Sequence, residues 1–296
     1  MRCSGRRRVV SALSTAHLSV AIRCFFVLVM GIGGGCQTTD DIKRTLDYGQ
    51  AFFPASATKD GREVRNRGTV LSDREFVGEQ GSDGYREIAG SWPDAVSSRI
   101  KPGVRLPVVV FLHGCSGYGH YTTAVAEFFL SSGVVVVAPN SLNRPGRMSM
   151  CGSGNMAYRA TLRKAEAQFA AETLAKLSWV DTKKMILAGH SEGGNSVASY
   201  SGNEFTAHII TGTSCRHNGG SVSAPEGVSV LAIKGAEDTT YPDGRCAVRR
   251  KYRGSKSIVI PDKGHMVVTS KEAKNAILEF LSKCCSVGTN GVQSSQ

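Results

Sequence analysis

The sequence predicts an α/β protein: an open, mostly parallel sheet with helices on both faces and no large cap domain. Three observations predict it. From Leu106 onward short β-branched runs alternate with helix-length segments, those runs are apolar without a break, and no internal repeat or low-complexity tract interrupts them. An unbroken apolar strand has both faces covered, as in a parallel sheet.

Taken in order, "PVVVFLHG" (107–114) is the first such strand, and "YTTAVAEFFLSSG" (121–133) is a helix stopped by glycine. "VVVVAPN" (134–140) is a second buried strand. A loop from Ser141 to Tyr158 leads into "RATLRKAEAQFAAETLAKLSWV", whose apolar residues recur at helical spacing. "KMILAG" is the next strand and "NSVASYSG" opens the helix after it. Three more strands, "AHIITGTS" (207–214), "VSVLAIKG" (228–235) and "SIVIPD" (257–262), precede a closing helix, "KEAKNAILEFLSK" (271–283). Residues 37–105 are mixed and polar, with "TVLSDREFVG" and "GYREIAGSW" as candidate edge strands, and a polar tail follows residue 283.

Composition adds bounds. With 296 residues, 41% hydrophobic and 20% charged, the chain buries one large core. The net charge of +12 suggests nucleic acid, but Arg2, Arg6, Arg7, Arg8 and Arg23 crowd the amino end, so no nucleic-acid partner is expected. That end reads as an export signal over residues 1–36, a basic start before the apolar "CFFVLVMGIGGG", which is too short to span a bilayer. Cys36 after three glycines suggests a lipoprotein signal and a membrane tether through lipid, although Gly33 stands where a branched residue is usual. Simple cleavage near the glycines is the competing reading, and "GRRRVV" resembles a twin-arginine motif. "RRKYRGSK" (249–256) reads as a solvated face.

In an open parallel sheet, ligands bind at the carboxyl ends of the strands. Ser191 stands there, in "GHSEGG" directly after "KMILAG", where Gly189 and Gly193 remove side chains that a sharp strand-to-helix turn would crush. A serine hydroxyl needs a base, and the base needs a group to hold its tautomer. Among His113, His120, His190, His208, His217 and His265, the best base is His265, between the last strand and the last helix. His190, inside the turn, is expected to point away, and His113 to shape its own turn. Asp238, after "VSVLAIKG", is the acid expected, with Glu237 pointing elsewhere and Asp243 and Asp262 as rivals. An oxyanion needs backbone donors fixed in advance, and the N–H groups of Glu192 and Cys115 are the expected pair.

"LHGCSG", "GHSEGG", "GAED", "KGH" and "PNSLNRPGR" together resemble the α/β-hydrolases, and within them the dienelactone hydrolase group. The resemblance implies an α/β-hydrolase fold over 106–283, no cofactor and hydrolysis of an ester or a relative of one. One departure matters: dienelactone hydrolase uses a cysteine nucleophile, whereas this turn carries Ser191, which favours ordinary ester chemistry.

Only "CRHNGGSVSAPEG" separates two strands where this fold usually inserts a cap, so the site should be open, walled by the 141–158 and 215–227 loops. Small or medium esters are the expected substrates. Cys115–Cys151 and Cys215–Cys246 are expected bridges bracing those walls, though spacing does not fix connectivity, and no cysteine spacing suits a metal. Acyltransferase or peptidase chemistry with the same triad, or a catalytically silent envelope-binding protein, are the alternatives. The sequence says nothing of oligomeric state.

Overall fold

The structure, a computed structural model, describes residues 38–47, 49–59, 61, 63–66, 85–88, 97–144, 147, 151, 156–249 and 253–287. The leader with Cys36, the "TVLSDREFVG" run and the tail beyond residue 287 lie outside them. Contacts divide the chain into Met1–Thr39 and Asp40–Gln296, and the sheet and its two cores belong to the second unit.

Among the described residues nine strands form one sheet: β1 (Gln50–Phe53), β2 (Glu63–Asn66), β3 (Tyr85–Ile88), β4 (Leu106–Leu112), β5 (Val135–Ala138), β6 (Val180–His190), β7 (Ala207–Thr211), β8 (Ser229–Gly235) and β9 (Lys256–Ile260). Their spatial order is β3-β2-β1-β5-β4-β6-β7-β8-β9. The six strands from β5 to β9 run parallel, and β1 joins them antiparallel through β5.

The side-chain period of two explains why β4 reads as an unbroken apolar run. Val108, Val110 and Leu112 enter a core on one face, beneath α3 (Met156–Leu174) and α4 (Glu192–Ala198). Val109 and Phe111 enter a second core on the other face, beneath α2 (His120–Ser131) and α5 (Lys271–Cys285). Each fully buried side chain of this size contributes about 1.5–3 kcal/mol. Helix α5 begins on Ser270, whose hydroxyl accepts from Ala273 N at 3.1 Å.

Several boundaries differ from the sequence reading. Helix α3 stops at Leu174, because the buried Trp179 packs on Phe53 at 5.2 Å and Val180 already belongs to β6. Helix α4 starts at Glu192 and ends at Ala198, only two turns later. Helix α5 runs to Cys285, which is buried together with Val287, so packing continues past residue 283. Helix α1 (Thr39–Asp47) and strands β1 and β2 were not expected; α1 sets Ile42 and Leu46 one turn apart and rests on Asp40 and Asp41 in its first turn and Lys43 bonded to Asp47 at 2.6 Å. Of the two candidate edge strands, "GYREIAGSW" supplies β3, the sheet's edge.

Both expected disulfides are present, Cys115–Cys151 with Cα atoms 5.1 Å apart and Cys215–Cys246 with 5.0 Å. Closing loops of this length stabilises by about 3–4 kcal/mol per bond on the chain-entropy account. A third joins the neighbours Cys284 and Cys285. Such bonds belong to an oxidising, exported environment. Among the described residues no helix is long and apolar enough to cross a membrane.

Candidate active site

The sheet's carboxyl end is shaped by backbone crowding around Ser191. This residue sits at φ 56°, ψ −114° between β6 and α4, a conformation that non-glycine residues adopt only where the surroundings impose it. Its N–H donates to Thr211 O at 2.9 Å and its carbonyl accepts from Asn195 N at 2.9 Å, so the turn is tied to β7 and to its own helix. A Cβ on Gly193 would lie 1.9 Å from Leu112 O, and one on Gly189 would lie 2.5 Å from Gly193 O. Both glycines let α4 press against the ends of β4 and β6. The result is a strained serine at a helix N-terminus.

Asp238 follows β8 and is buried. Its Oδ1 accepts from Thr240 N at 2.9 Å and Tyr241 N at 3.0 Å, while Oδ2 accepts from His265 Nδ1 at 2.9 Å. That bond leaves His265 Nε2 as the acceptor. The loop carrying His265 fits against the end of β8 because Gly235 has no side chain; a Cβ there would meet Lys263 O at 2.1 Å. Glu237 and Asp243 are exposed, as is Asp262, which stands at φ 52°.

The structure therefore brings Asp238 and His265 into direct contact. Among the described residues Ser191 Oγ makes no hydrogen bond to His265; the Tyr241 ring lies 5.8 Å from the imidazole, and its hydroxyl accepts at 2.9 Å from Asn195 Nδ2, which also donates to Ser191 O at 3.3 Å. Such bonds are often long before substrate is present. The N–H groups of Cys115 and Glu192, the pair expected from the sequence to hold an oxyanion, donate to no acceptor among the described residues.

The other histidines are accounted for. His113 donates Nδ1–H to Gly114 O at 2.7 Å and accepts Ser141 N at Nε2 at 3.1 Å, and burial with Arg163 nearby holds it well below the usual imidazole range. It is a neutral brace for the turn after β4. His208 is buried and pushed down to about 3 by burial, while His120 and His217 are exposed. His190 corrects the sequence reading: rather than pointing away, its ring packs 4.7 Å from that of His265 and 4.2 Å from Tyr121. A Cβ on Gly212 would meet His190 Cε1 at 2.5 Å, so this glycine makes room for the stack. Burial and the neighbouring His265 keep His190 neutral.

Sequence reasoning missed Tyr241 and a buried ionic cluster under the turn. Glu192 pairs with Arg147, with Arg159 at 3.1 Å and with Arg163 at 3.3 Å. Glu166 pairs with Arg144 at 3.2 Å and Arg163 at 3.6 Å and accepts from Ser141 Oγ at 2.9 Å. Burial nonetheless pushes the Glu166 carboxyl up, against the pull of both arginines. The spacing of Arg159, Arg163 and Glu166, one face of a helix expected to be buried, was the available signal.

These features, a strained serine after a central parallel strand and a carboxylate–histidine pair on later strand ends, give the chain an α/β-hydrolase fold. A family model described as chlorophyllase matches residues 96–209. Among solved structures, a protein named as a dienelactone hydrolase from Klebsiella pneumoniae subsp. pneumoniae is similar, at 13% identity and TM-score 0.44, covering 62% of this chain and 88% of its own. A thermophilic esterase from Thermogutta terrifontis shares 16% identity at TM-score 0.41, with 61% and 84% covered. The acetyl xylan esterase of Aspergillus awamori shares 16% at TM-score 0.42, with 58% and 89% covered. No curated protein matches the chain.

Proposed function

We propose that the protein is a serine hydrolase that cleaves carboxylic esters of small or medium size through an acyl-enzyme. The observation that supports this reading above others is the Asp238–His265 bond of 2.9 Å at the strand ends that also carry the strained Ser191. Ser191 Oγ attacks the ester carbonyl as His265 Nε2 takes its proton, and Asp238 keeps Nδ1 protonated and steadies the imidazolium. The carbonyl oxygen, now negative, lies against the N–H groups of Cys115 and Glu192, next to the N-terminus of α4. Collapse expels the alcohol, which receives the proton from His265. Water then repeats the sequence on the acyl-enzyme and frees the acid and Ser191. No metal or cofactor enters any step.

The size of the substrate follows from the loops. Between β7 and β8 the chain makes only a short 3₁₀ turn, Arg216–Asn218, and a bridge from Ser221 to Ala247, so no helical cap closes the site there. The Cys215–Cys246 bond ties this loop to the one that carries Asp238 and Tyr241.

A fluorophosphonate probe is expected to label the wild type on the peptide containing Ser191 and to leave Ser191→Ala unlabelled. Labelling that survives the substitution would falsify the assignment. We also propose that the chain is exported and carries lipid on Cys36. Mass spectrometry of the mature amino terminus should then find a diacylglyceryl-modified cysteine; an unmodified terminus downstream of residue 36 rules the lipid out.

A further inference from the structure

Tyr241 is placed against every member of the proposed triad. Its N–H holds the Asp238 carboxylate at 3.0 Å, its ring lies 5.8 Å from that of His265 at an interplanar angle of 30°, and its hydroxyl shares with the Ser191 carbonyl one donor, Asn195 Nδ2. The hydroxyl is also the end of a directed relay. Cys215 N donates to Thr213 Oγ1 at 3.2 Å, so the Thr213 hydroxyl is left to donate to Asn195 Oδ1 at 2.8 Å. With its oxygen taken, Asn195 turns Nδ2 outward, donating to Tyr241 Oη at 2.9 Å and to Ser191 O at 3.3 Å. The phenol thus receives a hydrogen from Asn195 and has its own to give. Among the described residues the phenol O–H donates to no acceptor, and Asn195, hydrogen-bonded to both residues, sets it beside Ser191.

The relay is rigid. Thr213, Asn195 and Tyr241 are buried, and it starts at Cys215, whose disulfide pins the loop to Cys246. Aligned hydrogen bonds in a dry site polarise one another, which strengthens the last donor.

We propose that Tyr241 is a further catalytic residue: its phenol O–H is presented to Ser191 Oγ, fixing the hydroxyl at rest and stabilising the charge that builds on this oxygen as its proton leaves. The same contact stabilises Oγ again when it departs from the acyl group in deacylation. The phenol keeps its proton throughout, and no bond to it forms or breaks. Burial pushes its ionisation up, so it remains a donor across the working range of the enzyme.

The inference rests on Ser191 being the nucleophile, and the test separates the two. Tyr241→Phe keeps the ring on His265 and the backbone N–H on Asp238 and removes only the donor. Its rate of fluorophosphonate labelling and its kcat on a short-chain aryl ester should fall about tenfold to a hundredfold, with KM little changed and the melting temperature near wild type. Asn195→Asp gives an independent reading, because a carboxylate there accepts the phenol hydrogen and draws it off Ser191. It should show the same loss. Wild-type labelling rates in either folded variant overturn the role of Tyr241, whereas an unlabelled wild type overturns the nucleophile itself.

Discussion

Asp238→Asn is expected to lower turnover of a short-chain aryl ester by about ten-thousandfold while the protein stays folded, the scale of loss seen when a triad loses its correct tautomer. The reason lies in three donors that converge on one carboxylate. Two are backbone N–H groups, of Thr240 and Tyr241, both on Oδ1, and the third is His265 Nδ1 on Oδ2. An asparagine that keeps its oxygen on the backbone pair must present its amide to His265. A donor there forces Nδ1 to accept, which moves the imidazole proton to Nε2, the atom that has to take the serine proton. The opposite orientation sets an amide against two backbone donors and costs about 1–3 kcal/mol for each buried group left unsatisfied. The first orientation therefore prevails, so the base is lost and the fold is not. The measurement is kcat beside the circular dichroism of the folded variant. Activity within tenfold of wild type would move the acid to Glu237, Asp243 or Asp262, although all three are exposed.

What was legible in the sequence depended on whether a signal was local. Strands β4 and β5, LPVVVFL and VVVA, are unbroken apolar runs, and only a strand covered on both faces is spelled that way. The glycines of "GHSEGG" were equally plain, since the clash each avoids lies with the chain on either side or with the end of the adjacent strand. Helix α1 and strands β1 and β2 were not legible, because a nine-residue helix with only Ile42 and Leu46 apolar and two four-residue strands acquire their form by docking onto β5 and onto each other. The orientation of His190 was lost for a related reason. Its neighbours in the stack, Tyr121 and His265, come from opposite ends of the core, and no spacing within the turn reports them. Tyr241 hid in a proline-glycine loop that reads as a turn, its partners fixed by a disulfide and by a helix distant in sequence.

The residue after the serine gives the second large effect, on stability. Glu192→Ala should destabilise the protein by about 3–5 kcal/mol, the usual consequence of removing one partner from a buried ion pair. Three guanidinium groups lean on this carboxylate, those of Arg147, Arg159 and Arg163, and the last has no exposed surface at all. Among the described residues, the cluster without Glu192 keeps four arginines against the carboxylate of Glu166, in a buried region where water screens them poorly. At about 2–4 °C for each kcal/mol in a domain of this size, the melting temperature should fall by on the order of 10 °C. Activity should fall too, because the same residue's N–H is one of the two proposed oxyanion donors and its position depends on the side chain being held. Adding Arg163→Met removes part of the stranded charge and should restore some of the lost stability, a coupling that independent sites would not show. A Glu192→Ala protein that melts within a degree or two of wild type would mean that packing of α4 on β4 and β6, rather than the ionic cluster, holds the turn in its strained conformation.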